Sequence, residues 1–395
     1  MEATVAIAGA GAVTALGIGV EPMETALRVN ASGLRPCENL AGKGYQSIVA
    51  GWVPDDTFNQ LRSADPAHAD ARAFLLADAA LKQAEQNAAV PLKSVSPARR
   101  GLVLSTTKAD VEALERMFRR QPCSPVARRH IQPALLAADL AAARQICGPV
   151  QCVSAACISG LLAIQQGVSL VQRNLADLVF VVGVDLVSHF VLAGFTALKS
   201  LDPDGCRPFD RARIGLSLGE GAGALVLVRQ DLLSSADLLL VRGWGTSNDA
   251  NHLTGPSRDG SGLALAISRA LAKAQATPDS INYLHMHGTG TPYNDAMESL
   301  ALRAVFGDRV PPFSSSKGML GHTLGAAGVL ETILCLIAVH AHTLPGTPRL
   351  RERDPVAPDS LLAVPQPATQ LRRILKVNCG FGGTNSALVL ERAPR

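Results

Sequence analysis

A glycine-rich turn that leads into an Ala-Leu-Val strand occurs twice in this chain, at 219–227 and again at 380–390. Two helical patterns rich in small residues, 159–171 and 325–339, repeat in the same order, and each follows a reactive side chain. Copies separated by well over a hundred residues indicate a duplicated domain, because the units of a solenoid are much shorter. The chain is therefore predicted to fold as two similar halves.

Strand and helix patterns alternate along both halves, which predicts an α/β fold. Leu178–Gly183 is a continuous apolar run of the kind that is buried on both faces of a sheet. We assign the N-terminal half to residues 1–240 and the C-terminal half to residues 241–395. We also expect two subunits to meet through the strand around Phe180.

The composition is that of a folded globular protein, since 47% of the 395 residues are hydrophobic and 18% are charged. A net charge of +4 is too small to indicate nucleic-acid binding. The first apolar run lacks the features of a signal peptide, and glycines and charges interrupt the other apolar runs, so we expect no membrane insertion. The eight cysteines form no Cys-x-x-Cys pair, which favours a reduced, cytoplasmic setting.

Cys157 lies between a β-type run, Val150–Val153, and an apolar helical pattern that begins at Ser159. A cysteine on such a turn faces the first free N–H groups of the helix, which favour the thiolate and can hold an oxyanion. The alternative is a small cysteine packed in the core, and that interpretation suits Cys152 and Cys379 better. Three motifs further along the chain favour a nucleophile at Cys157.

These motifs carry the other reactive side chains. His287 lies in His-Met-His-Gly-Thr-Gly-Thr, Lys317 and His322 lie in Ser-Ser-Ser-Lys-Gly-Met-Leu-Gly-His, and Phe381 lies in Asn-Cys-Gly-Phe-Gly-Gly-Thr-Asn. With Cys157 they follow an order that resembles the β-ketoacyl-acyl-carrier-protein synthases, the condensing enzymes of the thiolase-like superfamily. The resemblance covers nearly the whole chain.

The resemblance implies a thiolase-like fold, in which two α/β halves form five αβαβα layers around two buried helices. It also implies an acyltransferase that condenses an acyl group on Cys157 with malonyl-acyl-carrier protein by decarboxylation, giving a 3-oxoacyl product. A thiolate suits this reaction because it is both a strong nucleophile and a good leaving group. His287 and His322 match the pair that donates N–H groups to the developing enolate.

Other positions of the site follow from the same resemblance. Lys317 is expected to keep the histidines neutral, and Glu298 is expected to pair with its charge. Gly380, Phe381 and Gly382 are expected to form a turn that supplies a second oxyanion donor, the N–H of Phe381. The phenylalanine ring is expected to act as a gate over the nucleophile.

The substrate-binding positions implied by the resemblance are Thr289, Thr291, Thr107 and Lys108. The turn at 105–108 is more polar than the glycine-rich turn that it replaces in the family, so a saturated fatty-acyl chain fits it less well. This departure resembles the ketosynthases of aryl polyene or polyketide pathways, which accept unsaturated or aromatic starters. Fatty-acid and polyene or polyketide pathways both remain open at this point.

A locally basic stretch at 116–130 is either a solvated surface or a docking surface for an acidic carrier protein. Arg128, Arg129 and Arg207 are the positions expected to bind acyl carrier protein, whose phosphopantetheine arm would carry the substrates. No cofactor is expected, and no third ligand completes a metal site at the His-x-His pair. We expect a homodimer, or a heterodimer with a related ketosynthase-like subunit such as a chain-length factor.

Two other functions compete with this one. A biosynthetic thiolase would use a second cysteine as base and one histidine, which does not match a lysine with two histidines. A pseudo-synthase subunit would only shape the pocket of a partner. The intact set of Cys157, His287 and His322 argues against that second alternative.

Overall fold

The computed structural model of the chain describes residues 3–90, 92–233 and 238–393. The strands of its N-terminal half are β1 (Val5–Thr14), β2 (Gly17–Ile18), β3 (Arg35–Pro36), β4 (Val49–Ala50), β5 (Arg100–Ser105), β6 (Val150–Val153), β7 (Leu178–Asp185) and β8 (Gly221–Arg229). The helices of this half are α1 (Glu21–Val29), α2 (Asp55–Ala64), α3 (Arg72–Gln86), α4 (Val111–Phe118), α5 (Pro125–Arg129), α6 (Pro133–Ala142), α7 (Ser159–Gln172) and α8 (His189–Ala197).

The C-terminal half continues the alternation of strands and helices. Its strands are β9 (Leu239–Asn248), β10 (Tyr283–His285), β11 (Phe313–Ser314), β12 (Thr343–Leu344), β13 (Gln366–Pro367), β14 (Arg373–Gly380) and β15 (Thr384–Arg392). Its helices are α9 (Ser261–Ala274), α10 (Pro292–Phe306), α11 (Lys317–Leu320) and α12 (Ala327–His340). The domain boundary that we place after residue 240 falls inside β9 and stays a prediction.

A sheet of eleven strands crosses both halves, in the order β11-β10-β14-β15-β9-β1-β8-β7-β5-β6, with β2 paired to β1. The two halves meet where β1 pairs with β9. Counted outward from this contact, the strand order is β1-β8-β7-β5-β6 in one half and β9-β15-β14-β10-β11 in the other. In both halves the outermost two strands are parallel. Because β8 and β15 carry the two copies of the glycine-turn repeat, the predicted duplication is confirmed.

Helices α7 and α12 form the central layer of the fold. They contact each other, and both contact strands of the two halves: α7 packs on β5, β7 and β15, and α12 on β7, β8 and β14. A Cβ atom at Gly160 of α7 would lie only 2.8 Å from the Cα of Gly328 in α12, so glycine is what allows this approach. Helices α3 and α6 cover the outer face of one half, and α9 with α10 cover the other. The predicted order of layers follows from these contacts.

The expected dimer contact through Phe180 is wrong. Strand β7 pairs with β5 on one side and β8 on the other, and all eight of its residues are buried. A continuous apolar run is typical of the middle of a sheet, whereas an edge strand has one unpaired side. The edge of the N-terminal half is β6, where Val150 and Cys152 are exposed. The prediction that Cys152 packs in the core is therefore also wrong.

The helices of the described ranges are short or carry charged side chains. None of them combines the length and the apolarity that a bilayer-spanning helix requires.

Candidate active site

Cys157 lies on the short link between β6 and the central helix α7. Ala156, directly before it, has a left-handed backbone with φ 47°, a conformation that non-glycine residues rarely adopt. Ser159 holds this link in place, because its hydroxyl donates to the Ala156 carbonyl at 2.6 Å and accepts from the Ala155 N–H at 2.8 Å. The thiol therefore has a fixed, buried position at the start of a helix.

Burial is the strongest influence on the protonation of Cys157. Burial raises the pKa of Cys157 to about 11, and this effect exceeds the lowering of the pKa by the charges of Lys317 and Lys108 and by the Phe381 N–H. Burial opposes the thiolate that the N–H groups at the helix N-terminus are expected to favour, and that expected effect stays a prediction. The sulfur does have a near neighbour, since Nε2 of His322 lies 3.0 Å from Sγ.

His287 and His322 meet at the sulfur. Their ring centroids are 5.0 Å apart, and the two ring planes are nearly perpendicular. One ring nitrogen of each histidine and the Cys157 sulfur lie within 4.8 Å of one another. Burial is the largest cause that lowers the pKa of each histidine well below its usual value, and the charge of Lys317 is the next. Both rings are therefore neutral at physiological pH, as expected for hydrogen-bond donors.

The tautomer of His322 follows from its backbone contact. The Leu324 N–H donates to Nδ1 of His322 at 3.2 Å, so the ring proton is on Nε2 and faces the Cys157 sulfur. Nδ1 of His287 likewise faces two donors, the amide of Asn378 at 2.9 Å and the Lys317 ammonium at 3.4 Å. Both histidines thus present an Nε2–H group, which can stabilise a negatively charged oxygen.

The predicted ion pair of Lys317 with Glu298 is wrong. Lys317 contacts the carboxylate of Glu331 in α12, and that carboxylate also pairs with Lys376 at 2.8 Å. These two ammonium groups hold the pKa of Glu331 well below its usual value, although burial alone would raise it. Glu298 cannot reach the lysine because its carboxylate accepts the N–H groups of His287 and Gly288, at 2.8 and 2.7 Å.

Glu298 therefore shapes the loop that carries His287. Its third donor is the side-chain amide of Asn294, at 3.0 Å, and burial raises the pKa of Glu298 to about 8. The neighbouring Thr289 and Thr291 bond each other through their hydroxyls at 2.8 Å, and the Thr289 N–H donates to Asp295 at 3.0 Å. The substrate-binding role expected for the two threonines stays a prediction.

The glycine turn at Gly380 lies against Cys157. A Cβ atom at Gly380 would lie 3.2 Å from the Cys157 nitrogen, and Gly382 has a left-handed φ of 83°. The Phe381 N–H is close enough to Cys157 to lower the pKa of its thiol, and the phenylalanine ring stacks on Phe195 with centroids 5.8 Å apart. This arrangement agrees with a second oxyanion donor, and the gate function of the ring stays a prediction.

The turn of Thr107 and Lys108 is held by a buried carboxylate, Asp185. That carboxylate accepts the N–H and the hydroxyl of Thr107, at 3.0 and 2.9 Å, and the N–H of Gly325 at 2.6 Å. Lys108 donates from Nζ to the Thr107 hydroxyl at 2.7 Å. Since Gly325 is three residues beyond His322, the polar turn is anchored beside that histidine.

The three predicted carrier-docking arginines differ in their partners. Arg129 pairs with Asp139 at 2.8 Å, and the half-buried Arg207 pairs with Asp202 at 3.3 Å. Arg128 is exposed, and its side chain makes no ion pair or hydrogen bond with the part of the chain that the structure describes. Arg128 is therefore the best placed of the three to bind a partner.

Three residues of the site were missed in the sequence: Glu331, Lys376 and Asn378. Each side chain is at least 95% buried. A carboxylate inside the apolar pattern of α12 and a lysine inside the apolar strand β14 were the available signals, because a buried charge requires a partner.

A buried thiol that faces two neutral N–H donors and a backbone N–H defines an acyl-transferring, carbon–carbon condensing site. Comparison with known proteins agrees. The family models of the β-ketoacyl synthase N-terminal and C-terminal domains match residues 2–232 and 238–351. The chain belongs to the β-ketoacyl synthase family, and it is a condensing enzyme of the acyltransferase type. The thiolase alternative is not supported.

Several relatives cover nearly the whole chain. The tetracenomycin polyketide synthase ketoacyl synthase alpha subunit of Streptomyces glaucescens is 33% identical over 99% of this chain and 97% of its own. Nodulation protein E of Rhizobium leguminosarum bv. trifolii is 32% identical over 99% of this chain and all of its own.

Among solved structures, the ishigamide ketosynthase/chain length factor superposes with a TM-score of 0.89 at 30% identity, covering 99% of both chains. ApeO in complex with its chain length factor ApeC, from Xenorhabdus doucetiae, gives 0.84 at 28% identity, covering 99% of this chain and 98% of that one.

Proposed function

We propose that the enzyme extends an unsaturated, aromatic or polyketide acyl chain by one decarboxylative condensation with malonyl-acyl-carrier protein. The main support for this type of reaction is that two Nε2–H groups converge on the Cys157 sulfur. The names of the relatives, which include polyketide synthase subunits, support the substrate class. Both substrates would arrive on the phosphopantetheine arm of the carrier protein.

The first half-reaction moves the acyl group to the enzyme. The sulfur of Cys157 attacks the thioester carbonyl, the new carbon–sulfur bond forms, and the bond to the carrier thiol breaks. The proton of the Cys157 thiol leaves with the carrier thiolate. The backbone N–H groups of Cys157 and Phe381 are placed to hold the oxyanion, because the glycine turn lies against the cysteine.

The second half-reaction forms the new carbon–carbon bond. The malonyl carboxylate leaves as carbon dioxide, and the electron pair of the broken bond becomes an enolate whose oxygen accepts from His287 and His322. The enolate carbon attacks the acyl carbonyl on Cys157, and the sulfur leaves as thiolate and takes up a proton. Neutral histidines suit this step, because the Nε2–H groups are fixed donors that do not need to be protonated first.

Lys108 is the residue that we propose selects the acyl chain. Its ammonium lies close enough to Cys157 and His322 to affect their pKa values, and its charge also partly offsets the effect of burial, which raises the pKa of the Asp185 carboxylate. A partly desolvated cation attracts conjugated and aromatic electrons and gains nothing from a saturated chain. The polar turn therefore favours an acyl group that is unsaturated near the thioester.

We expect Lys108→Met to lower the preference for a polyunsaturated or cinnamoyl chain over a saturated chain by about tenfold, the size of a partly buried cation–π contact. The measurement is the rate at which each acyl group appears on Cys157, followed by intact mass. Lys93→Met, at an exposed lysine outside the site, is the matched control. Equal losses for saturated and unsaturated chains would show that Lys108 acts only on the reactivity of the sulfur.

The partner that we propose is a second ketosynthase-like subunit, bound along the edge strand β6. No strand in the described ranges pairs with the outer side of β6, and the apolar side chains of Phe118, Phe190 and Val150 are exposed, with Phe118 82% accessible. Helix α4, which ends at Phe118, contacts α8, which carries Phe190. An open strand edge with exposed aromatic side chains is typical of a covered interface. The two structural neighbours described with a chain length factor support a heterodimer.

Val150→Asp together with Phe190→Asp should weaken this assembly at least about tenfold, because each change places a charge in an apolar contact. Light scattering of the purified protein, alone and after co-expression with its candidate partner, measures the change. The control is Val29→Asp, at an exposed valine on α1. If the double variant keeps the mass of the wild-type assembly, the subunits meet through another face.

Arg128→Glu should raise the KM for carrier-bound substrate and leave the KM for a small thioester unchanged. The guanidinium of Arg128 is exposed and unpaired in the described residues, so it is available to an acidic carrier. An exposed charge acts mostly on encounter, and we expect about a threefold to tenfold effect that decreases with salt. Arg173→Glu, at the opposite end of α7 from Cys157, is the control. A parallel loss with the small thioester would indicate misfolding.

A further inference from the structure

We propose that Asn378 is a positioning residue that selects the tautomer of His287. The side-chain amide of Asn378 donates to Nδ1 of His287 and to the Glu331 carboxylate, each at 2.9 Å. Both N–H groups of the amide are thereby used. This inference rests on the proposed decarboxylation, since it explains how His287 is made a donor for that step.

The orientation of the amide is determined by Glu331. That carboxylate is ionised, because Lys317 and Lys376 hold its pKa well below the usual value, so it can only accept hydrogen bonds. The NH₂ end of Asn378 must therefore face Glu331, and with it His287. Nδ1 of His287 is then an acceptor, and the ring proton is confined to Nε2.

The carbonyl end of the same amide supports this role. Asn378 is fully buried, and its Oδ1 has no hydrogen-bond partner in the part of the chain that the structure describes. The side-chain hydrogen bonds of Asn378 within the described residues are therefore made through its NH₂ end. One N–H of the amide donates to His287 and the other donates to the charged Glu331 carboxylate.

Lys317 does not perform this function by itself. Its ammonium is 3.4 Å from Nδ1 of His287 and also serves the His287 carbonyl at 3.2 Å and the Glu331 carboxylate. The lysine charges make protonation of His287 unfavourable, and Lys376 adds to this effect. The positive charge therefore keeps the ring neutral, while the nearer, directed amide decides which nitrogen carries the proton.

The proton position matters because of the second half-reaction. With hydrogen on Nδ1, the lone pair of Nε2 would point at the developing enolate oxygen and repel it.

Asn378→Asp is the sharpest test, because it is isosteric and reverses the tautomer preference of His287. A carboxylate accepts a hydrogen bond from Nδ1–H and so leaves Nε2 without a proton. The new oxygen lies beside the Glu331 carboxylate, and the ammonium groups of Lys317 and Lys376 offset part of the added charge, so circular dichroism must show a folded variant before the assay.

We expect Asn378→Asp to slow carbon dioxide release about a hundredfold to a thousandfold at alkaline pH, the usual cost of one lost oxyanion donor. Acylation of Cys157 and the KM for malonyl-carrier protein should change little. The new carboxylate raises the pKa of His287, so at lower pH the imidazolium again carries a proton on Nε2. The variant should therefore recover as the pH falls, whereas the wild-type rate stays level.

Asn378→Ala separates positioning from packing. Lys317 still faces Nδ1 in that variant, so the loss should be smaller than in Asn378→Asp, although alanine leaves a cavity. A structural role predicts the reverse order, with the truncation worse than the isosteric change. That reverse order, or a loss in Asn378→Asp that does not depend on pH, would overturn the proposal.

A readout that does not depend on activity distinguishes this proposal from the proposed function. In protein labelled with ¹⁵N-histidine, His287 should show an unprotonated Nδ1 in the wild type and a protonated Nδ1 in Asn378→Asp, with His287→Gln used for assignment. If the wild type fails to release carbon dioxide but shows this pattern, the function is wrong and the tautomer assignment stands. If the wild type shows a protonated Nδ1, the proposal is wrong whatever the activity.

Discussion

Replacement of Cys157 by alanine should abolish condensation and leave carbon dioxide release from malonyl-carrier protein close to the wild-type rate. Acyl transfer requires the sulfur, whereas decarboxylation requires only N–H donors at the malonyl thioester oxygen. The variant keeps both histidines and the contacts that orient them, since Leu324 and Asn378 hold their Nδ1 atoms from the side away from the sulfur. Two assays measure the separation: carbon dioxide release, and intact mass after incubation with an acyl donor.

Two other cysteines serve as controls for this experiment. Cys152 is exposed on the edge strand β6, and Cys379 is buried beside the glycine turn. Cys152→Ala should acylate and condense normally, and the acyl mass should be found on the peptide that contains Cys157. A label on Cys152 or Cys379 would contradict the assignment. A folded Cys157→Ala protein that releases no carbon dioxide would show that the sulfur takes part in decarboxylation.

The experiment also separates an active enzyme from a pseudo-synthase. Burial raises the pKa of Cys157 to about 11, so the thiol predominates in the free enzyme at neutral pH. Alkylation of the free enzyme should therefore accelerate as the pH rises towards that value, because only the thiolate attacks. A subunit that only shapes a partner's pocket has no need for an acylated sulfur. Uptake of an acyl group on Cys157 would exclude that alternative.

The two halves of the fold could be predicted because each repeated feature is a pattern of neighbouring residues in the sequence. The glycine turns before β8 and β15 and the small-residue helices α7 and α12 each extend over neighbouring residues, so they are visible in the sequence. The central glycines, such as Gly160 and Gly328, are explained by the close approach of two buried helices. Cys157, His287 and His322 came from motifs of the same local kind, and the structure brings them together.

The charged network behind the histidines could not be predicted, because it connects distant elements. Lys317 follows β11, its partner Glu331 lies in α12, and Lys376 and Asn378 lie in β14. Nothing in the spacing of these residues says which carboxylate faces the lysine. Glu298 was the wrong choice because two backbone N–H groups, those of His287 and Gly288, occupy its oxygens. Pairing between buried charges is decided by packing, which the sequence expresses only indirectly.

The dimer prediction failed for a different physical reason. An apolar run such as β7 shows that a strand is buried on both faces, but it does not show whether its edges are paired. The real edge, β6, alternates between exposed and half-buried residues and has no strong hydrophobic signal. Strand order depends on the crossover connections, so the edge becomes visible only in the assembled sheet.

His287→Ala and His322→Ala should each reduce carbon dioxide release about a hundredfold to a thousandfold, because each variant removes one N–H donor from the enolate oxygen. The two variants should differ in acylation. Nε2 of His322 lies 3.0 Å from the sulfur and stabilises the departing or attacking thiolate, so His322→Ala should also slow acyl transfer. His287→Ala should acylate nearly normally. The same two assays, carbon dioxide release and intact mass, measure both effects.

His287→Gln and His322→Gln test whether the N–H donor itself is what matters. A glutamine amide carries an N–H donor and cannot act as a base at neutral pH, so partial retention of decarboxylation would identify donation as the function of the ring. If the glutamine variants are as slow as the alanine variants while the proteins stay folded, the imidazole contributes something other than donation. If all four variants release carbon dioxide at the wild-type rate, the oxygen must be held by the N–H groups of Cys157 and Phe381 alone. The convergence of the two histidines on the sulfur would then have no part in the reaction.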